Sequence, residues 1–161
     1  MKPLVYVRDK RSPIPANENV SRVMSANKAK NTNPEKSLRK ALWKIGLKGY
    51  RKNYKKIPGR PDLAFVNKKF AIFVNGCYWH RCPKCDLPLP KTNIDFWKKK
   101  FDRNVSRDQE KNLLLEQIGW KSMTVWECEL NPKDIDKVIK SIKQKLLEYD
   151  GQKKNHDQKN R

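Results

Sequence analysis

The stretch VNGCYWHRCPKC, residues 74–85, holds three of the chain's four cysteines, one of its two histidines and two adjacent aromatic residues. Cys82-Pro83-Lys84-Cys85 has the Cys-x₂-Cys spacing at which one turn can aim two thiolates at a single ion. Cys77 lies five residues upstream, and Cys128 ends the stretch TVWEC, from which the chain can return to the loop. Together they would make a closed Cys₄ site for Zn²⁺, one that holds structure and leaves no position open for chemistry. Two rival readings stay open. Cys-Pro-x-Cys also serves thiol redox enzymes, where a low-pKa thiolate starts a helix, although prolines at 88 and 90 leave little room for one here. His80 could also replace one thiolate in a Cys₃His set.

If the cysteines fill the shell, His80 is free. Phosphodiester cleavage needs a base for the attacking water, a carboxylate to hold a divalent cation on the scissile phosphate, and positive charge to hold the DNA. GRPDLAF puts Asp62 where a loop enters a strand. A common nuclease architecture follows such an aspartate with an Asp/Glu-x-Lys pair on the adjacent strand, but here that strand reads FAIFVNG and has neither.

The charge fits a nucleic-acid partner. The formal net charge is +21, from 38 Lys and Arg against 17 Asp and Glu, with an isoelectric point near 10.0. Residues 132–161 hold nine basic and five acidic residues, so most of the excess belongs to the body rather than to a tail. Such an excess points to a polyanion, DNA first among them, with a well-solvated lysine-rich surface as the bland alternative. No run approaches the length of a membrane span and the N-terminus lacks a signal-peptide core, so a cytoplasmic protein with no membrane partner is expected. In that reducing compartment cysteines serve as ligands or redox groups more often than as disulfides.

The elements that must position these residues can be read from periodicity. Residues 1–32 are polar, with prolines at 3, 13 and 15, and read as an arm without helical or strand period. NPEKSLRKALWKIG predicts a helix with Asn33 as N-cap and Pro34 at its first position, carrying Leu38, Ala41, Leu42 and Ile45 and stopping at Gly46. IPGRPDLAFVNKKFAIFVN predicts an antiparallel hairpin, and the cysteine loop follows it directly. A short helix is expected from Asn93 to about Arg103 and a second from Val105 to Ile118, with Leu114, Leu115 and Ile118 on one face and Gly119 as its stop. KSMTVWE predicts a third core strand, and Asn131-Pro132 starts a last amphipathic helix carrying Ile135, Val138, Ile139, Ile142 and Leu146. The fold expected is α/β: one mixed sheet with helices on both faces. The domains expected are a flexible extension over 1–20, a folded domain over 21–150 that opens with a basic arm at 21–32, and a basic polar tail over 151–161.

PGRPD, FVNGCYWH, FWKKKFDRNVSRD and IGWKSMTVWEC, in this order and spacing, resemble the very short patch repair (Vsr) endonucleases over about residues 21–130. The resemblance implies a restriction-endonuclease-like fold and Mg²⁺-dependent nicking of duplex DNA 5′ of the thymine in a T·G mismatch, the product of 5-methylcytosine deamination. It implies Asp62 as the metal-binding carboxylate, the Val74 carbonyl as a second ligand and His80 as general base. It implies that Glu35 and Asp108 hold waters on the ion or orient the histidine, and that Cys77, Cys82, Cys85 and Cys128 hold a structural Zn²⁺. It also implies a monomer, with functional links to a DNA cytosine methyltransferase and to mismatch-repair proteins.

The chain departs from the pattern at Asn75, where well-known members carry a second histidine; an amide can hydrogen-bond but cannot take a proton. Tyr78 and Trp79, set between a cysteine and His80, could enter a base step that stacks poorly and opens cheaply. In the family the matching aromatics wedge in from the major groove, and a methionine of the arm, here Met24, enters from the minor groove. Blander roles are open to each: core aromatics for Tyr78 and Trp79, an idle Met24, a helix-dipole partner for Glu35, an exposed Asp108, and a turn cap for Asp62. A related endonuclease cutting paired DNA in restriction, and a DNA-binding zinc module without catalysis, are the alternative functions.

Overall fold

The computed structural model describes residues 13–15, 17–28 and 30–159, with side chains as far as residue 149. Residues 1–12, most of the expected extension, lie outside the described residues. Within the arm, α1 (Glu18–Ser25) is a helix whose N-cap Asn17 accepts the Val20 N–H at 2.9 Å. It buries no residue, and its available signals were the Asn17 cap and the helical spacing of Val20, Val23 and Met24.

Helix α2 (Asn33–Lys44) starts one residue earlier than expected. Thr32 is the N-cap, and Thr32 with Glu35 closes a capping box, each satisfying an N–H of the first turn that the helix itself cannot. Leu38 and Leu42, four apart, are fully buried, while Ile45 lies past the helix end and is exposed.

A strand pair follows. β1 (Arg51–Lys52) lies at the sheet edge, antiparallel to β2 (Leu63–Phe65). β2 pairs antiparallel with β3 (Phe70–Asn75), Leu63 opposite Ile72 and Phe65 opposite Phe70, as the hairpin pattern predicted. β4 (Lys121–Trp126) lies parallel to β3, so the order is β1-β2-β3-β4. A parallel pair needs a long crossover, and α3 (Ile94–Gln117) supplies it.

Both sheet faces are covered, which is why β2 and β3 read as nearly continuous apolar runs. Leu63, Phe65, Phe70 and Ile72 point toward Leu38 and Leu42 of α2 and Val138, Ile139, Ile142 and Leu146 of α4 (Ile135–Lys159). Ala64, Ala71 and Phe73, on the alternate positions, pack with Leu115 of α3 and with Trp120. α4 follows a turn in which Asn131 Oδ1 accepts from Lys133 and Asp134 N–H, and its backbone runs on through most of the expected tail. Among the described residues no helix is long and apolar enough to cross a membrane.

The largest difference from expectation is α3, one helix of 24 residues where two were predicted. Trp97, Phe101, Asn104, Asp108, Lys111 and Leu115 follow one another in steps of four and three, so they form one stripe along a single helix. The apolar pattern stops at its polar middle, but the helix does not. Of the three residues expected on the apolar face, only Leu115 is buried; Leu114 and Ile118 are exposed.

Candidate active site and metal centre

β3 and β4 end side by side, Asn75 opposite Trp126. The chains leaving these neighbouring strand ends reach Cys77 and Cys128 two residues later, which is how a cysteine 51 positions downstream returns to the loop. The sulfurs of Cys77, Cys82, Cys85 and Cys128 all lie within 4.8 Å of one another, a cluster able to hold a metal ion. Cys82 Sγ and Cys128 Sγ are 3.8 Å apart, the edge of a tetrahedron whose metal–sulfur bonds are about 2.3 Å, as for zinc.

Backbone bonds shape the knuckle before any metal enters: Cys82 N–H donates to Cys77 O at 3.0 Å and Cys85 N–H to Cys82 O at 3.2 Å. Lys84 pairs with Glu129, and Glu127 accepts the Cys77 N–H at 3.4 Å, tying the loop to the turn after β4. Burial pushes the Cys77 and Cys128 thiols up to about 11, so an entering metal must displace their protons. Among the described residues no helix starts at Cys82, so the helix N-terminus that activates redox thiolates is missing.

His80 is not part of this cluster. Arg81 takes a left-handed conformation (φ 52°), turning the chain sharply between His80 and Cys82. The His80 ring faces α3, with Nδ1 2.6 Å from Asp108 Oδ2. The same Oδ2 accepts Nδ2–H of Asn75 at 3.0 Å, and Oδ1 accepts the ammonium of Lys111 at 2.6 Å. Burial pushes the Asp108 carboxyl up, but His80 and Lys111 outweigh it and hold it below the usual carboxylate range. An ionised carboxylate only accepts, so Nδ1 carries the proton shared with Asp108, and in the neutral ring Nε2 is the nitrogen left with a lone pair.

Asp62 stands just before β2, and its Oδ2 accepts the Val74 N–H from β3 at 2.7 Å. Among the described residues Oδ1 has no hydrogen-bond partner. Burial pushes Asp62 up to about 6 against that hydrogen bond, and the negative Glu35 adds to the rise; Lys111 and Arg39 pull the other way. An under-compensated carboxylate beside a second negative charge and a strand-end carbonyl suits a hard divalent cation.

Glu35 itself is 4% exposed and plays two parts. It caps α2, accepting from Asn31 N–H at 3.0 Å and Thr32 Oγ at 3.1 Å, and it pairs with Arg39 at 3.3 Å. Its charge is nevertheless felt at Asp62.

The aromatic loop is clamped between the two centres. Tyr78 packs edge-on against Trp79 and Phe101, both at 5.2 Å, and Trp79 lies 6.0 Å from Trp97. Lys100 sits over both indole rings, and Asn104 Nδ2 holds the Trp79 carbonyl at 2.9 Å. Tyr78 and Trp79 are half-buried, so part of each ring is core and part is surface. Met24, also half-buried, lies in the last turn of α1, apart from the His80–Asp108 group in sequence and element.

The structure thus forms two hydrogen-bonded groups that adjoin along β3, Asp62 with the Val74 N–H and Asn75 with Asp108 and His80, and Glu35 acts electrostatically on the first. Sequence reasoning missed Lys111, Asn104 and Arg39. The signal for the first two was the step of four and three that carries through the polar middle of α3.

The chain is similar to several known DNA endonucleases. A family model described as DNA mismatch endonuclease Vsr matches residues 14–86. The type II nicking enzyme V.XorIIP of Xanthomonas oryzae pv. oryzae is 39% identical over 109 residues, covering 68% of this chain and 79% of that one. The type II nicking enzyme V.NmeAIP of Neisseria meningitidis is 40% identical, covering 71% and 85%. The DNA mismatch endonuclease Vsr of Escherichia coli K12 is 34% identical, covering 71% and 72%. Among solved structures, the catalytic domain of the homing endonuclease I-Bth0305I shares the fold with a TM-score of 0.52 at 24% identity, covering 74% of this chain and 98% of that domain.

Proposed function

This chain belongs to the DNA mismatch endonuclease Vsr family and is a DNA endonuclease, and from that premise we propose that it nicks duplex DNA 5′ of the thymine in a T·G mismatch. The observation that carries the hydrolytic part is the 2.6 Å contact between His80 Nδ1 and Asp108 Oδ2. With that contact made, Nε2 of His80 takes the proton of the attacking water, and Asp108 orients the ring and stabilises the imidazolium that forms. Asp62 and the Val74 carbonyl would hold Mg²⁺, which supplies Lewis acidity at the scissile phosphate when bound. Glu35 adds negative charge that favours a cation there. Asn75 donates to Asp108 and takes no proton, so a single imidazole carries the base function.

The remaining assignments follow the same reading. Zn²⁺ in the four-cysteine cluster fastens the loop to the end of β4. Tyr78 and Trp79, held from behind by α3, enter the poorly stacked step, with Met24 entering from the opposite groove. Lysines and arginines of the body contact phosphates, so affinity falls steeply with salt. Residues 21–150 act as the endonuclease domain, with 21–32 as the DNA-contacting arm and residues 1–20 and 151–161 as appendages. The protein works as a cytoplasmic monomer on the nucleoid, downstream of a DNA cytosine methyltransferase and alongside mismatch-repair proteins.

Strand-resolved nicking of T·G and fully paired duplexes with Mg²⁺ tests this. The expected product is one nick 5′ of the thymine in the mismatched duplex alone. Binding without nicking would favour a zinc-containing DNA-binding module. A second reading, nicking of paired target DNA in restriction, is prompted by the type II designation of the relatives and would be chosen by equal cutting of both substrates.

A further inference from the structure

The adjacent strand FAIFVNG lacks the lysine that common nuclease sheets place beside such an aspartate. A lysine reaches the centre by another route. We propose that Lys111, presented by α3, is a positioning residue of the cleavage centre, locking the Asp108 carboxylate so that His80 keeps Nε2 turned toward the water. The proposal rests on the reading of His80 as the base.

A carboxylate's terminal torsion is soft and roughly two-fold. With partners on one oxygen alone, Asp108 could swing and carry the imidazole with it. Here Oδ2 holds both His80 and Asn75 while Oδ1 holds the Lys111 ammonium at 2.6 Å. Turning the group breaks all three bonds.

Lys111 is itself fixed, unlike an ordinary surface partner three residues along a helix. Its side chain is 12% exposed and its ammonium lies 4.0 Å from the centre of the Phe73 ring on β3. Its stem crosses Gly59 of the PGRPD turn so closely that a Cβ there would stand 3.0 Å from Lys111 Cβ and Cδ. Gly59 also has φ +73°, which further disfavours any side chain. The turn that delivers Asp62 and the helix that delivers Asp108 therefore meet at this one lysine.

The test is single-turnover nicking at saturating T·G duplex, with the dissociation constant measured separately. Lys111→Met should lower the rate about 100-fold, the scale on which a 1 Å misplacement acts, with affinity within about twofold of the parent on that reasoning. Lys111→Arg, which keeps a donor and a charge, should recover part of the loss, and added methylammonium should restore Lys111→Ala saturably. A second readout needs no DNA: the downfield Nδ1 proton of His80, assigned by its loss in His80→Gln, should shift or broaden in Lys111→Met. Parental rate, or weaker binding at unchanged rate, overturns the proposal. If Lys111→Met does not fold, Lys111→Gln takes its place, with the same loss expected and a parental rate again decisive against. A parent that fails to nick T·G DNA overturns the mismatch reading instead, and the His80 proton signal then decides for or against Lys111.

Discussion

The cysteine cluster and the carboxylate centre flank one loop and are built on opposite plans. Three of the four thiols come from nine consecutive residues, and the fourth is delivered by a parallel strand neighbour. The carboxylate centre draws Glu35 from α2, Asp62 from the entry to β2, Asn75 from β3, His80 from the loop and Asp108 from α3. A tetrahedral thiolate shell is complete and closed, so it fastens structure. The carboxylate centre is incomplete, holding Asp62 where ionisation is unfavourable. One cluster should therefore stabilise the fold, and the other should tax it in return for chemistry.

The largest expected effect falls on the closed cluster. Structural zinc in small domains contributes on the order of 10–16 kcal/mol of folding energy, so Cys128→Ser should lose both its metal, about one ion per chain in the parent, and its cooperative melt. Elemental analysis with circular dichroism checks both. A metal-free variant with the parental melting temperature would abolish the contrast.

Next comes the open centre. His80→Ala should lower single-turnover nicking roughly 10²–10⁴-fold, the range of a lost general base, while zinc content and melting temperature stay parental. A large drop in stability would mean that His80 belongs to the scaffold.

A smaller effect of opposite sign sharpens the same contrast. Folding raises Asp62 from 3.8 to about 6, so the folded state favours the proton. The stabilisation is full below about pH 4 and is lost as pH rises through 6. At neutral pH the ionised group costs up to about 3 kcal/mol. Asp62→Asn keeps the acceptor for the Val74 N–H and removes that cost, so the metal-free variant should be more stable than the parent at pH 8, with the difference vanishing near pH 4. Urea titrations at the two pH values measure it. Mg²⁺ should raise the melting temperature of the parent and not that of the variant.

The smallest effect concerns the loop between the centres. Trp79→Ala should reduce the preference for T·G over paired duplex by about tenfold, the scale of one lost base stack. Competition between labelled duplexes reads it, and an unchanged preference would return Trp79 to the aromatic core alone.

The two clusters also differed in how far they could be read beforehand. The cysteines were legible because their spacing is itself the chemistry, and the hairpin, α2 and β4 were legible because covered strands and amphipathic helices leave apolar periods. α3 was split in two because Asn104, Asp108 and Lys111 occupy the positions where the apolar stripe should continue. α1 was missed although Val20, Val23 and Met24 keep helical spacing, a pattern of two turns that is too short to stand out from the polar arm around it. Glu35 was identified as a residue; its use as a helix cap lay in the local Thr32-x-x-Glu35 spacing, while its action as a charge on Asp62 depends on tertiary placement.

The sequence by itself determined the covered sheet, the candidate metal ligands and the basic body, because these follow from composition and from periods of two, three and four residues, while it left open whether His80 joins the cysteines. Tertiary structure alone decided which oxygen of Asp108 faces His80, that Lys111 holds the other, and that Asp62 is lifted to about 6. Those outcomes depend on distances of a few ångströms between elements far apart in the chain and on the burial around them, and no local spacing encodes either.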